Sequence, residues 1–300
     1  MTADARLDDF AELARGIYLE GLAIDHERGL VWFSDVVGGG IHAVRSDGTP
    51  VATLNPDRMW TGGVLVNKGG IVLSSGQGGI AWTNPETGAA GWLIDRIDGA
   101  PINGINEMVP DGQGGLYFGT VDLDSVIAGR APGPTCLYRL DRDRTLTRIA
   151  DGVGFSNGLM LDAQARRLYC NDTFRGTWAF DLGADGVPAD RRLILAKEDA
   201  DGLALDALGC LWITGFRSGV FTRLAADGTR LADVPTPGEA ITQLRFGGAD
   251  GRDCYFHVVP IDGGEALKNG TELSARRSIL YHARSTVPGR PVAPTEFRLG

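Results

Sequence analysis

Scarcities narrow the class of this chain before any motif is sought. Among 300 residues there are four histidines and four cysteines. The cysteines, Cys136, Cys170, Cys210 and Cys254, stand 34 to 44 residues apart, without the close pairs of a structural zinc site. They read as reduced core thiols. Basic clusters are missing as well. A formal charge of -9 and a pI near 5.0 exclude a surface built to neutralise nucleic-acid phosphates or an anionic membrane. No run of about 18 apolar residues could span a bilayer, and MTADARLDDFAELARG lacks the basic start and apolar core of a signal peptide. A cytoplasmic protein without nucleic-acid or membrane partners is expected, acting on a small molecule as a monomer or weak homo-oligomer. Helical periodicity is equally scarce: only DDFAELARG could be read as helical.

Glycine, by contrast, is abundant at 44 residues, with 14 prolines, while 43% of the chain is hydrophobic. Glycine is therefore punctuation in a globular fold of short strands and tight turns. A repeat organises those strands. Its clearest copies are EGLAIDHERGLVWFSD from Glu20, NGLMLDAQARRLYCND from Asn157 and DGLALDALGCLWITGF from Asp201. Weaker copies begin at Gly62, Asn106 and Thr242. The clear copies read as a polar residue, an apolar strand, an Asp-centred turn and an aromatic or β-branched strand, and the weaker ones follow the same register, with two further strand-like runs after each hairpin. The spacing of 41 to 51 residues is that of a propeller blade. The expected fold is all-β: a six-bladed β-propeller of four-stranded antiparallel blades around a central channel. Residues 1–300 form one such domain, with 1–15 as a short N-terminal extension. SILYHARS or the terminal TEFRL completes the sixth blade, and the connections before Asn106 and after Asp122 are candidate loops over the channel.

The first strand of each blade lines the channel, so the residues that begin it form a ring: Glu20, Gly62, Asn106, Asn157, Asp201 and Thr242. Carboxylate and amide oxygens converging at one point suit a hard divalent cation. Ca²⁺ is the expected ion, with Mg²⁺, Mn²⁺ and Zn²⁺ as alternatives; the ring holds no His or Cys to favour zinc or copper. Asn-Gly and Asp-Gly are also ordinary turn dipeptides. Glu, Asn and Asp at three equivalent positions, each followed by Gly-Leu, favour metal ligation by Glu20, Asn157 and Asp201.

EGLAID with LVWFSD, NEMVPDGQGGLYFGT, SNGLML with RRLYCND, and DGLALDALGCLWITG together resemble the senescence marker protein 30, gluconolactonase and luciferin-regenerating enzyme family over nearly the whole chain. The resemblance implies a single catalytic divalent metal at Glu20, Asn157 and Asp201, a substrate-facing Asn106, and Asp201 doubling as general base. It also marks departures. Members acting on sugar lactones commonly carry Arg two residues before the Asn matching Asn106, where this chain has Gly104. Leu22 replaces a usual Pro, and Glu107 a usual Asp. The missing cation points away from sugar lactones towards a less polar ring, unless Arg130 or Arg217 compensates from a loop.

The implied activity is metal-assisted hydrolysis of a lactone, with Asp201 taking a proton from the attacking water. Asn106 and Asp122 are the candidate substrate residues. Other chemistry in the same pocket, phosphotriester hydrolysis or isomerisation, and a non-catalytic metal-stiffened binding propeller are the alternatives. Asp172 reads as a turn residue, His257 as structural, and Trp32, Trp178 and Trp212 as packing between blades.

Overall fold

The computed structural model describes residues 4–263 and 275–300. Six four-stranded antiparallel sheets account for nearly all of its secondary structure. Their inner strands are Leu19–Asp25, Thr61–Asn67, Gly104–Pro110, Ser156–Asp162, Ala200–Leu205 and Ala240–Gly247. Each packs against the next, and Ala240–Gly247 packs back on Leu19–Asp25, closing a six-bladed propeller. A short α-helix spans Leu123–Ile127, and no described helix is long and apolar enough to cross a membrane.

Where a repeat turn carries Asp, the side chain bonds backbone. Asp206 Oδ1 accepts from Leu208 N at 3.0 Å and Cys210 N at 2.8 Å, and Asp162 and Asp111 cap their hairpins in the same way. Aromatic and β-branched residues of the second strands pack between blades. Trp32 sits with Val64 and Val72, and Trp212 meets Phe246 edge-on at 5.2 Å. Trp178 is only partly buried and lies under the Arg191 guanidinium at 4.8 Å. The four cysteines are free, three of them buried.

The sixth blade closes differently from either expectation. Ser278–Ser285, which contains SILYHARS, is its third strand, and its outermost strand is Leu7–Gly16 from the other end of the sequence. The segment DDFAELARG is thus strand, not helix. TEFRL forms no blade strand; it belongs to a tail that crosses the far end of the channel. Arg290 N donates to Leu205 O, Thr295 N to Val66 O and Glu296 N to Gly114 O, at 2.8, 3.1 and 2.8 Å. Asn67 anchors it: Oδ1 accepts from Thr295 Oγ1 and Phe297 N, both at 2.8 Å, and Nδ2 donates to Phe297 O at 3.1 Å.

Candidate functional site

All six inner strands carry a register shift at the same place, between Leu19 and Leu22, Thr61 and Val64, Ile105 and Met108, Ser156 and Leu159, Ala200 and Leu203, and Ile241 and Leu244. The ring residues therefore open a β-bulge, a device that re-aims side chains beside functional sites. Gly follows because the blades approach closely. A Cβ on Gly21 would lie 2.2 Å from Gly62 O, and one on Gly158 2.3 Å from Asp201 O. The Glu-Gly, Asn-Gly and Asp-Gly pairs are bulges in strands, not turns.

Side chains of the preceding blade then fix the ring's carbonyls. Ser34 Oγ donates to Gly62 O, Ser75 Oγ to Asn106 O and Asn171 Nδ2 to Asp201 O, each at 2.7 Å. His257 Nδ1 donates to Glu20 O at 3.1 Å. A carbonyl can only accept, so this neutral imidazole carries its proton on Nδ1. His257 is fully buried, and burial pushes its pKa down to about 3. It holds the ring in place and takes no part in it.

Glu20, Asn106, Asn157 and Asp201 line one cavity of about 500 Å³ at the channel mouth. Asn106 Nδ2 donates to Asn157 Oδ1 at 2.9 Å, and Asn157 Nδ2 to Thr173 Oγ1 at 3.2 Å. Thr242 is spent elsewhere, donating to Leu19 O at 2.9 Å. Beneath the ring, Glu107, Gln243 and Arg245 fill the channel. Gln243 Nε2 bonds the Glu107 carboxylate, and Arg245 Nη2 lies 3.6 Å from its Oε2. The channel is blind below the site.

The carboxylates of this chamber repel one another. Burial first, then repulsion from Glu107, pushes the Glu20 pKa up to about 8. Burial, Glu20 and Glu107 raise Asp201 well above the ordinary carboxylate range. Burial likewise raises Glu107, against the pull of Arg245. Asp201 Oδ1 is buried with no hydrogen-bond partner. Among the described residues no three His, Cys, Asp or Glu side chains converge as a metal cluster. The available set is two carboxylates with an Asn amide, whose Oδ1 keeps a second lone pair beside the bond from Asn106. An all-oxygen set with an orphaned carboxylate oxygen and mutually repelling charges fits a hard divalent cation held by Glu20, Asn157 and Asp201.

Asp122 is not brought to the cavity. Its carboxylate accepts from Ser125 N at 3.2 Å and Gly133 N at 3.0 Å, capping Leu123–Ile127 and pinning the loop that follows. The loop itself supplies Leu123, Val126, Arg130 and Pro132 to the wall. Arg217 borders the cavity as well, while Arg130 donates to Ser125 Oγ at 3.3 Å. Gly104 is glycine for a steric reason: a Cβ there would meet Leu123 Cβ at 2.8 Å.

The model of the SMP-30/gluconolactonase/LRE-like region matches residues 19–260. The chain belongs to this family. Within the SMP-30/gluconolactonase/LRE-like family, a pentonolactonase of Haloferax volcanii is 29% identical over 229 residues, covering 72% of this chain and 76% of its own. A 6-deoxy-6-sulfogluconolactonase of Pseudomonas putida is 28% identical over 269 residues, covering 87% and 88%. Among solved structures, luciferin-regenerating enzyme superposes with a TM-score of 0.81 at 19% identity, over 96% of this chain and 99% of that one. A regucalcin of Agrobacterium tumefaciens, described as calcium-binding, gives 0.78 at 17% identity over 98% of each chain. These likenesses establish the propeller.

Motif reading passed over several residues of this SMP-30-like chamber. Tyr18 and Phe155 lie two residues before Glu20 and Asn157, and Trp60 two before Gly62, all on the cavity wall. Their signal was present: an aromatic at a fixed offset before the ring position in three repeats.

Proposed function

We propose that this protein is a divalent-metal-dependent lactonase whose substrate is less polar than a sugar lactone. One observation carries the reading: Glu20, Asn106, Asn157 and Asp201 converge at the mouth of a blind channel, with Asp201 Oδ1 buried and unpartnered. The lactonase activities named for the Haloferax and Pseudomonas relatives support the reaction class, and the calcium-binding description of the Agrobacterium regucalcin supports the cation. When bound, the cation supplies Lewis-acid polarisation of the lactone carbonyl and acidifies water.

The chain's own residues do the rest. Asn106, held by its bond to Asn157, orients the ring of the substrate. Asp201 takes a proton from the attacking water as its oxygen bonds to the carbonyl carbon. The ring C–O bond then breaks, the proton passes to the departing alkoxide, and a hydroxy acid leaves. Burial disfavours an ionised Asp201, so the site depends on positive charge to keep this carboxylate basic.

Support for a less polar substrate comes from position 104. Leu123 occupies the space into which a longer side chain at Gly104 would extend, replacing a polyol-clamping cation with an apolar surface. Val121, Val126, Phe174 and Phe216 continue that surface.

The test is acid release from sugar, aliphatic and aromatic lactones by protein treated with chelator and then reloaded with Ca²⁺, Mg²⁺, Mn²⁺ or Zn²⁺. Turnover that disappears with chelator and returns with a cation is expected. In Asp201→Asn, turnover should fall by about 10²-fold or more. Full turnover by chelated protein, or by Asp201→Asn, would refute the assignment.

A further inference from the structure

On blade four the strand Arg167–Asp172 ends in a carboxylate that the oxygen ring does not use. Asp172 is fully buried, and it accepts backbone N–H groups from both segments that bring an aromatic side chain to the cavity. Oδ2 accepts from Gly154 at 2.8 Å, and Oδ1 accepts from Phe155 and Phe174, each at 3.3 Å. The fit leaves little space: a Cβ on Gly154 would lie 3.0 Å from Oδ1. Thr173 N donates to Phe155 O at 3.1 Å, and Thr173 Oγ1 accepts from Asn157 Nδ2 at 3.2 Å. One carboxylate thus holds two aromatic rings in fixed relation to a member of the oxygen ring.

Those rings meet edge to face, with centroids 6.3 Å apart and planes at 74°. Both border the cavity, and Phe174 is 48% exposed. With Phe155 partly buried and Phe174 exposed, this pinned pair leaves apolar area that a bound group would remove from water. Asp35, the repeat equivalent on blade one, caps Ile17, Tyr18, Val37 and Gly38 in the same manner, at 2.7 to 3.3 Å. Of the residues it caps, Tyr18 lines the cavity and is buried, and Val37, the equivalent of Phe174, does not line it. Phe174 on blade four is the exposed aromatic of the wall, with Ile261 as a second exposed apolar side chain on the same cavity.

We propose that the Phe155–Phe174 wall, hung on Asp172 as its positioning residue, determines specificity by receiving an apolar substituent carried on the lactone ring. The identity of the substrate rests on the lactonase reading; the binding measurement below does not. The probes are δ-valerolactone and δ-decalactone, which share a ring and differ by an alkyl tail, together with their ring-opened hydroxy acids. Calorimetry on the Ca²⁺-loaded full chain compares the two acids, and kcat/KM compares the two lactones. The tailed acid should bind about tenfold tighter. Phe174→Ala should bring that ratio close to one, and Phe174→Leu should restore most of it. Since Phe174 is half exposed, both variants should fold. Asp172→Asn should narrow the ratio while keeping the rise in Tm that Ca²⁺ produces, a split that general loss of structure would not give.

Absence of a preference in the native protein, or an equal loss for both acids in Phe174→Ala, would overturn the proposal. If neither lactone is opened while the tailed acid is still preferred, the lactonase reading fails and the wall stands. If both lactones are opened equally well, the wall fails and the lactonase reading stands.

Discussion

Glu20 shows what a single buried carboxylate does to this protein. Its pKa rises from 4.5 to about 8, so the folded state resists ionisation that the unfolded chain accepts freely. The penalty is absent below about pH 4.5, where both states are protonated, and it grows until the folded group ionises near pH 8. Metal-free protein therefore loses stability across that window. A cation held by the same oxygens reverses the loss, so the increase in Tm on adding Ca²⁺ to chelated protein should be larger at pH 8 than at pH 5. The comparison is made at each pH, which cancels the opposite contribution of His257. Glu20→Gln should raise the Tm of the chelated protein at pH 8 and abolish its response to Ca²⁺. A response to Ca²⁺ that is the same at both pH values would remove Glu20 from the ligand set.

At the scale of elements, the loop from Asp122 to Gly133 is a wall fastened at both ends by one carboxylate. Asp122→Ala should cost about 1 kcal/mol of local stability, speed proteolysis within the loop and raise KM more than it lowers kcat. An effect on kcat alone would mean that Asp122 acts at the reacting atoms. The sequence exposed the inner elements far better than the outer ones. Each inner strand is buried along nearly its whole length, so its apolar run is continuous and the polar residue at the bulge stands out, from Glu20 to Thr242. Leu7–Gly16 is the outermost strand of its blade and mostly exposed. It has two register irregularities, and Asp9 adopts a positive φ of 57°. With little to bury, it shows no alternation, and LDDFAELARG looks helical. Asp122 misled for a related reason: its position after a strand is legible, whereas the direction of its carboxylate depends on Gly133, eleven residues later.

For the whole molecule, the tail across the base is a second fastening of the ring, reaching from Leu205 on blade five to Val66 on blade two. Asn67→Ala would leave Thr295 Oγ1 and the Phe297 amide without their buried partner, at about 1–3 kcal/mol each. Tm should fall by several degrees, while lactone turnover at 25 °C should be retained, because Asn67 lies at the opposite end of its strand from Gly62. Loss of turnover in protein that remains folded would tie the base of the propeller to the site. The first fastening, Leu7–Gly16 against Ser278–Ser285, has a consequence in time. Tyr281 bonds Glu12 across 269 positions of sequence. At synthesis rates of roughly 5–20 residues per second, Leu7–Gly16 is made on the order of 15–50 s before its partner strand. The sixth blade therefore cannot be completed until all five others have been synthesised, which makes it the last sheet whose strands are all present.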